Sequence, residues 1–527
     1  MVDKVHGPLL FPGWRPGSIS TKQLVANLLQ RAKAQFQAGA HRDAGDTARR
    51  VLELDVKSAD AYHLLGAIAV SEDNFAEAET LFSTAVNLNR NSAYLRYHLA
   101  NVQRALGNHA SAVVAYRHAL RLDPNLSFAY FGLALALSSL GQVDDAVVYL
   151  QRYLQRKPGD ADGHHELGRI FRESGNLDQA LEHLRAAFRA RPDDKAFLAS
   201  LATTLLLTGN YLEGWPHWLQ LFTRSPVRLP DPIADTAPFA GNHVVIYANE
   251  GVGDEVMFAS CLPEISDQAA VVTLHCDRRL VSLFKRSFPS VRIFGMDKVG
   301  EQRIIGLVAP EEYHIFASFL PAYFRPDMAC FPQRRSYLLA DPALVAEWRR
   351  RFDGLGAGLK VGVSWLGGAD PINRSKRSIP LSAWGEILAV NKVHFVNLQY
   401  GEVSAEIKRV RETFGVPIHT WPDVNPLLDL DFTAAQISAL DLVISVDNST
   451  VHLAGALGTP VWTLLPIVPD WRWRMAGTHT SWYPNMTLFR QAEAGHWGTI
   501  LQQVGRSLNN PFPGTCKKKT PEVVDRR

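Results

Sequence analysis

The sequence predicts two architectures in one chain: an all-helical repeat solenoid, then an α/β half of two parallel-sheet lobes. Three observations predict it. From about residue 25 to 228, small, apolar and helix-ending residues recur every 34 positions. A stretch carrying Pro226, Pro230, Pro232 and Pro238 then interrupts all periodicity. Beyond it, short β-branched runs alternate with helical stretches, the rhythm of parallel sheets covered by helices.

Four columns define the array. Ala44, Ala78, Ala112, Ala146 and Ala180 form the first, and Gly214 takes its next place. Gly107, Gly141, Gly175 and Gly209 form the second, Pro124, Pro158 and Pro192 the third. Leu65, Leu99, Leu133, Leu167 and Leu201 form the fourth. Only a small side chain fits where the two helices of a unit touch; Gly suits the turn between them, and Pro ends the second helix. Six units start near residues 25, 59, 93, 127, 161 and 195. The first is degenerate, with Val56 in the proline column, and the last departs at Gly214-Trp215-Pro216. End units of an array are expected to be atypical. The pattern resembles the tetratricopeptide repeat, a pair of antiparallel helices. Stacked units present a groove suited to an extended segment of another protein; a spacer or a dimerisation surface is the alternative. His63, His98, His118, His164, His165 and His183 share no metal spacing, so the array carries no predicted chemistry.

Candidate strands in the first lobe are Val244–Ala248, Val271–His275, Val291–Phe294 and His314–Ala317. The second lobe holds Lys360–Trp365, His394–Leu398, Leu442–Ser445, Val461–Leu465 and Thr487–Phe489. Ligands of such sheets bind at the carboxyl ends of the strands, so the loops there carry the functional reading.

Residues 442–467, LVISVDNSTVHLAGALGTPVWTLLPI, are the most informative. Leu442–Ser445 reads as a buried strand, and Asp447, Asn448, Ser449 and Thr450 are cap-type residues where a helix should begin. Gly458 suits its C-terminal cap, and Pro460 cannot continue it. A helix start of this kind binds anions, phosphate above all, because unpaired N–H donors and the helix dipole point the same way. An ordinary α/β unit, with Ser and Thr only as caps, is the alternative.

In the first lobe Asn249-Glu250-Gly251-Val252-Gly253-Asp254-Glu255 joins the first strand to an apolar helix. Two glycines allow close approach, and two carboxylates sit at the helix start, where they could also serve only to complement the dipole. No Gly-Lys-Ser/Thr follows, so this is not a Walker loop. In the second lobe Ser364-Trp365-Leu366-Gly367-Gly368 ends the opening strand. Arg374, Lys376 and Arg377 follow, a group that could neutralise a diphosphate or simply form a solvated turn. Asp429-Leu430-Asp431 spells the DxD of metal-dependent sugar transferases but precedes a helix, so it reads as cap and first-turn charges. In Pro469-Asp470-Trp471-Arg472-Trp473-Arg474, a Trp could stack on a base and an Arg could meet phosphate.

G-x-G-D-E, S-W…R-S-K-R-S-I-P and D-L-V-I-S-V-D-N-S-T-V-H-L-A-G-A-L-G-T-P-V-W together resemble a GT-B glycosyltransferase, nearest to the heptosyltransferase-like family fused to tetratricopeptide repeats. The resemblance covers roughly residues 241–505. It implies two Rossmann-like lobes and transfer of a sugar from a nucleotide donor to an acceptor hydroxyl, with inversion, without a metal and with no cofactor. It makes Asp254 the general base, with Glu255 grouped as a second catalytic carboxylate. It places Arg377, or Lys376 one position earlier, on the diphosphate. Asp447, Asn448, Ser449, Thr450 and His452 hold the donor phosphates, and Gly251, Gly253, Ser364 and Trp365 complete the nucleotide-sugar set. Lobe one is short for that family, which weighs against a lipopolysaccharide acceptor. The fusion also resembles protein O-GlcNAc transferases and flagellin glycosyltransferases, whose repeats present a protein acceptor.

The expected division is an N-terminal extension (1–24), the repeat superhelix (25–228), a linker (229–241), an N-terminal lobe (242–340), a nucleotide-sugar lobe (341–508) and a polar tail (509–527). The foremost expectation is O-glycosylation of Ser or Thr on a protein, flagellin first. A glycan-directed transferase and a non-catalytic repeat scaffold are the alternatives. With 55 basic and 52 acidic side chains, the net charge of +3 gives no case for a nucleic-acid partner; a homo-oligomer stays open. The four cysteines lack CxxC spacing, so neither a disulfide framework nor a zinc site is indicated. The N-terminus, broken by Pro8, Pro12 and Pro16, is unlike a secretory signal. No apolar run reaches the roughly 18 residues a membrane span requires, and a cytoplasmic location is expected.

Overall fold

The computed structural model describes residues 20–221, 237–248, 250–296, 312–368, 371–423 and 429–509, the side chains of 371–373 excepted. The expected N-terminal extension up to residue 19, the junction from 222 to 236, Asn249 and the polar tail from 510 lie outside them. The chain divides into two units, Met1–Ile170 and Phe171–Arg527.

The first unit is built of paired helices: α1 (Thr21–Gln37) with α2 (His41–Leu54), α3 (Ala59–Ser71) with α4 (Phe75–Leu88), α5 (Ala93–Ala105) with α6 (His109–Leu122), α7 (Ser127–Ser139) with α8 (Val143–Arg156), and the start of α9 (Ala161–Glu173). Ala44, Ala78, Ala112 and Ala146 are fully buried, as their column requires. The turn column is left-handed throughout, with Gly107 at φ 79° and Gly141 at φ 74°. Asp73 stands one repeat earlier at φ 57°; Asp is among the few residues that tolerate this conformation. Side-chain oxygens of Ser58 and Ser92 accept from the backbone N–H three residues on, capping α3 and α5.

The second unit begins with α10 (Leu177–Ala190), α11 (Lys195–Thr208) and α12 (Tyr211–Gln220). Two wholly parallel sheets follow. The first, in order β3-β2-β1-β4, consists of β1 (His243–Tyr247), β2 (Val271–Asp277), β3 (Val291–Met296) and β4 (Tyr313–Phe316). The second runs β10-β9-β8-β5-β6-β7: β5 (Leu359–Ser364), β6 (Val393–Asn397), β7 (Ile418–His419), β8 (Leu442–Val446), β9 (Val461–Leu465) and β10 (Met486–Arg490). All nine expected strands are present; β7, two residues long, is too short to leave a periodic signal. In each sheet the order reverses once, between β1 and β4 and between β5 and β8, and such reversals open a crevice at the strands' carboxyl ends.

Candidate functional site

The site is assembled at the carboxyl ends of the paired strands β5 and β8. Asn448 is in extended backbone and caps the Ser449–Leu457 helix, its Oδ1 accepting from Thr450 N at 2.9 Å. The same amide reaches across the sheet, donating from Nδ2 to Ser364 Oγ (2.8 Å) and to the Leu366 carbonyl (3.0 Å). Ser364 in turn donates to Gln399 Oε1 at 2.9 Å. These polar groups are buried and satisfied within the protein, so they brace the carboxyl edge. Ser449 is half-buried at that edge, while Thr450, Val451 and His452 behind it are buried.

Asp447 is buried, with Oδ2 3.3 Å from Arg377 Nη1. Burial raises its pKa and outweighs the opposing pull of Arg377 and Arg472. The Nε of Arg377 is also buried and has no hydrogen-bond partner among the described residues. Arg377 ends a short helix, Pro371–Arg377, where a loop was expected. Lys376 of that helix is half-exposed and lies 3.8 Å from Glu173 instead.

The glycine loop of the first sheet comes to this same edge. Gly251 caps the Val252–Phe258 helix, and Gly253 lies against the Ser449–Leu457 helix. A Cβ on Gly253 would stand 2.9 Å from His452 Cδ2 and 3.3 Å from Ser449 Cα. That approach fixes Asp254, whose carboxylate accepts from the Arg472 guanidinium. Arg472 also lies 3.0 Å from Asp470. Its burial opposes its charge, but Asp470, Asp254 and Asp447 more than compensate and raise its pKa. The sequence offers an arginine of the 469–474 segment for phosphate, on its position after a strand's carboxyl end, without separating Arg472 from Arg474; it is Arg472 that meets Asp254.

The other expected site residues are buried. Glu255 follows Asp254 but is 1% exposed, and its Oε2 accepts from Asp277 N at 2.8 Å, inside the first sheet's edge. Trp365 is fully buried among Ile379, Leu381 and Trp384, donating from Nε1 to Glu406 at 2.7 Å. It is part of the second sheet's core, directly after β5. His452 is buried, stacked on Trp473 at 5.1 Å and hydrogen-bonded through Nδ1 to the Tyr483 hydroxyl at 2.8 Å. Burial, with Arg472 and Arg377 nearby, lowers its pKa well below the ordinary value, so it is a neutral prop behind the loop. Trp471 and Trp473 are both buried, which removes them as surfaces for a base. Asp429 caps the Leu430–Ala439 helix as expected, and Asp431 is bound by Arg286 from the helix after β2. Among the described residues, no group of three or more His, Cys, Asp or Glu is placed to hold a metal ion, and no helix is long and apolar enough to cross a membrane.

What remains at the edge is a part-exposed carboxylate beside two arginines and a helix start. That combination can bind an anion and take up a proton next to it.

Residues 49–226 match the tetratricopeptide-repeat family model. The chain is similar to Protein FlbA of Caulobacter vibrioides, 32% identical over 325 residues, covering 59% of this chain and 54% of that protein. It thus spans about half the length of the curated relative it matches. Similar solved structures include YrrB, a TPR protein with an unusual peptide-binding site (23% identity, 34% of this chain and 97% of that one, TM-score 0.31). PilW, a type IV pilus biogenesis factor, is 20% identical over 39% of this chain and 94% of its own, with a TM-score of 0.37.

Proposed function

We propose that this protein is a GT-B glycosyltransferase that moves a sugar from a nucleotide donor to a Ser or Thr hydroxyl of a protein recruited by the repeats. Flagellin is the proposed acceptor, on the resemblance of the motifs. The observation that carries the reading is the meeting of Asp254 with Arg472 beside the Ser449–Leu457 helix start. It joins loops from both sheets, as a transferase whose acceptor and donor enter from opposite lobes requires.

In this reading the donor diphosphate draws Arg472 and Arg377 to its oxygens, freeing Asp254 from its ion pair. The acceptor oxygen attacks the anomeric carbon, Asp254 takes the hydroxyl proton, and the bond to the diphosphate breaks. The negative charge left on the diphosphate falls on the two guanidinium groups and the N–H of Ser449. Asp447 orients Arg377, while Glu255 holds the end of β2 and acts as a structural group.

The test is hydrolysis of a panel of nucleotide sugars by the wild type and by Asp254→Ala, followed by mass spectrometry of flagellin incubated with the active donor. Turnover lost in the variant and a sugar-sized mass increase on flagellin support the reading. Equal turnover in both proteins removes Asp254 as the base. Turnover without a mass increase moves the acceptor to a glycan.

A further inference from the structure

The last helix pair of the array packs against the segment that carries Arg472. In α12, Trp215 meets Trp471 edge to face with ring centroids 5.6 Å apart, and Trp218 lies 5.8 Å from the same ring. The Arg472 guanidinium carbon stands 5.3 Å over that Trp471 ring, so one indole is held by α12 and supports the arginine. Two turns of the repeats reach the same segment. At Gly209, between α11 and α12, a Cβ would lie 3.5 Å from Arg474 Cδ; at Gly175, between α9 and α10, it would lie 3.3 Å from Met475 Cε.

Anchors exist on both sides. Trp215 donates from Nε1 to the Arg325 carbonyl at 2.8 Å, and the buried Arg325 side chain binds Glu264 at 2.8 Å, tying α12 to the first sheet's helices. On the far side Arg490 of β10 donates to the carbonyls of Trp473 (2.7 Å) and Arg474 (2.8 Å). Between these anchors Arg474 has φ 52° and ψ 174°, a backbone conformation that side chains rarely adopt. Such a residue persists only where its surroundings hold it.

We propose that Trp215 and Trp218 are positioning residues: through Trp471 they set where Arg472 stands relative to Asp254, which makes the terminal repeat a working part of the site. The inference rests on the proposed transferase reading for its consequence in turnover, but its geometric content does not.

The test uses the full chain with Trp218→Ala, Trp218→Phe and Trp215→Phe, which keep the backbone and, in the last two, an aromatic ring. Phenylglyoxal labelling of Arg472, read by peptide mass spectrometry, reports its freedom without any sugar. Trp218→Ala should label at Arg472 several-fold faster, with Trp218→Phe near the wild-type rate. With an active nucleotide sugar, Trp218→Ala should lower kcat about tenfold and leave KM within about twofold, since misplacement of a reacting group by a fraction of an ångström has effects of this order. A folded Trp218→Ala protein with unchanged labelling overturns the proposal. If the wild type turns over no nucleotide sugar, the transferase reading falls, and the labelling result alone decides the positioning role.

Discussion

The Arg472 guanidinium is bound to the carboxylate of Asp254, 218 residues earlier in the chain. Arg472 is 11% exposed and carries Asp470 on its other side. A buried arginine with two carboxylate partners cannot be removed without leaving like charges facing one another. Arg472→Ala should therefore lower nucleotide-sugar turnover about 10²-fold, the order seen when one charge-stabilising donor is lost. Lys should not restore it, because an ammonium cannot bridge two carboxylates in a planar fork. Steady-state hydrolysis kinetics check both expectations.

Gly253 is fixed by contact with the Ser449–Leu457 helix. The Cβ of Gly253→Ala would fall 2.9 Å from His452, a ring that cannot retreat because Trp473 is stacked on it. Overpacking of this kind costs about 1–3 kcal/mol. The variant should unfold at lower temperature and lose affinity for a nucleotide sugar, both measurable by thermal shift with and without donor.

Arg286 and Asp431 join the first sheet's helix to the second sheet's, with two contacts of 2.9 Å. Asp431 is mostly buried, and that burial raises its pKa in spite of Arg286. Arg286→Met should cost about 1–3 kcal/mol at neutral pH, the penalty of a charge left without its partner. A raised carboxylate pKa contributes stability below the unfolded value of 3.8, lost as pH rises through the folded one. The defect of the variant should therefore shrink as pH falls. Urea denaturation across acidic pH reads this directly.

In the first unit, His98 is packed against His63, Tyr94 and Phe82. Burial, then the neighbouring His63, pushes its pKa down to about 4. A lowered histidine pKa contributes stability above the unfolded value of 6.5, lost as pH falls toward the folded one. The helical signal of the array should melt more easily at about pH 4.5 than at about pH 7, and His98→Phe should flatten that difference.

Trp365 offers a control for the site's boundary. Trp365→Phe removes the hydrogen bond to Glu406, a loss of about 1.5–3 kcal/mol for a bond to a charged group. Donor KM should not change, because the indole lies in the core of the second sheet. A raised KM with unchanged stability would return Trp365 to the nucleotide-sugar set.

Features that depend on local periodicity and backbone freedom are legible in the order of the amino acids. The Ala44 and Gly107 columns specify helix pairs because a small side chain or a left-handed turn is demanded at each place. The Asp447–Thr450 cluster between two apolar runs specifies a capped helix after a buried strand, and Asp429 reads as a cap for the same reason. Which charged groups meet depends on how the sheets and helices pack. Asp254 and Glu255 are neighbours in the chain, yet one faces Arg472 and the other the end of β2, because the first helical turn points them in different directions. Trp365, directly after β5, turns into the core because Ile379, Leu381 and Trp384 from later in the chain pack in the same apolar cluster. Arg472 met Asp254, and Arg286 met Asp431, only when two sheets had folded against each other. Coulomb attraction between residues so far apart in the chain leaves no periodic trace, and it acts only after packing has excluded water from between them.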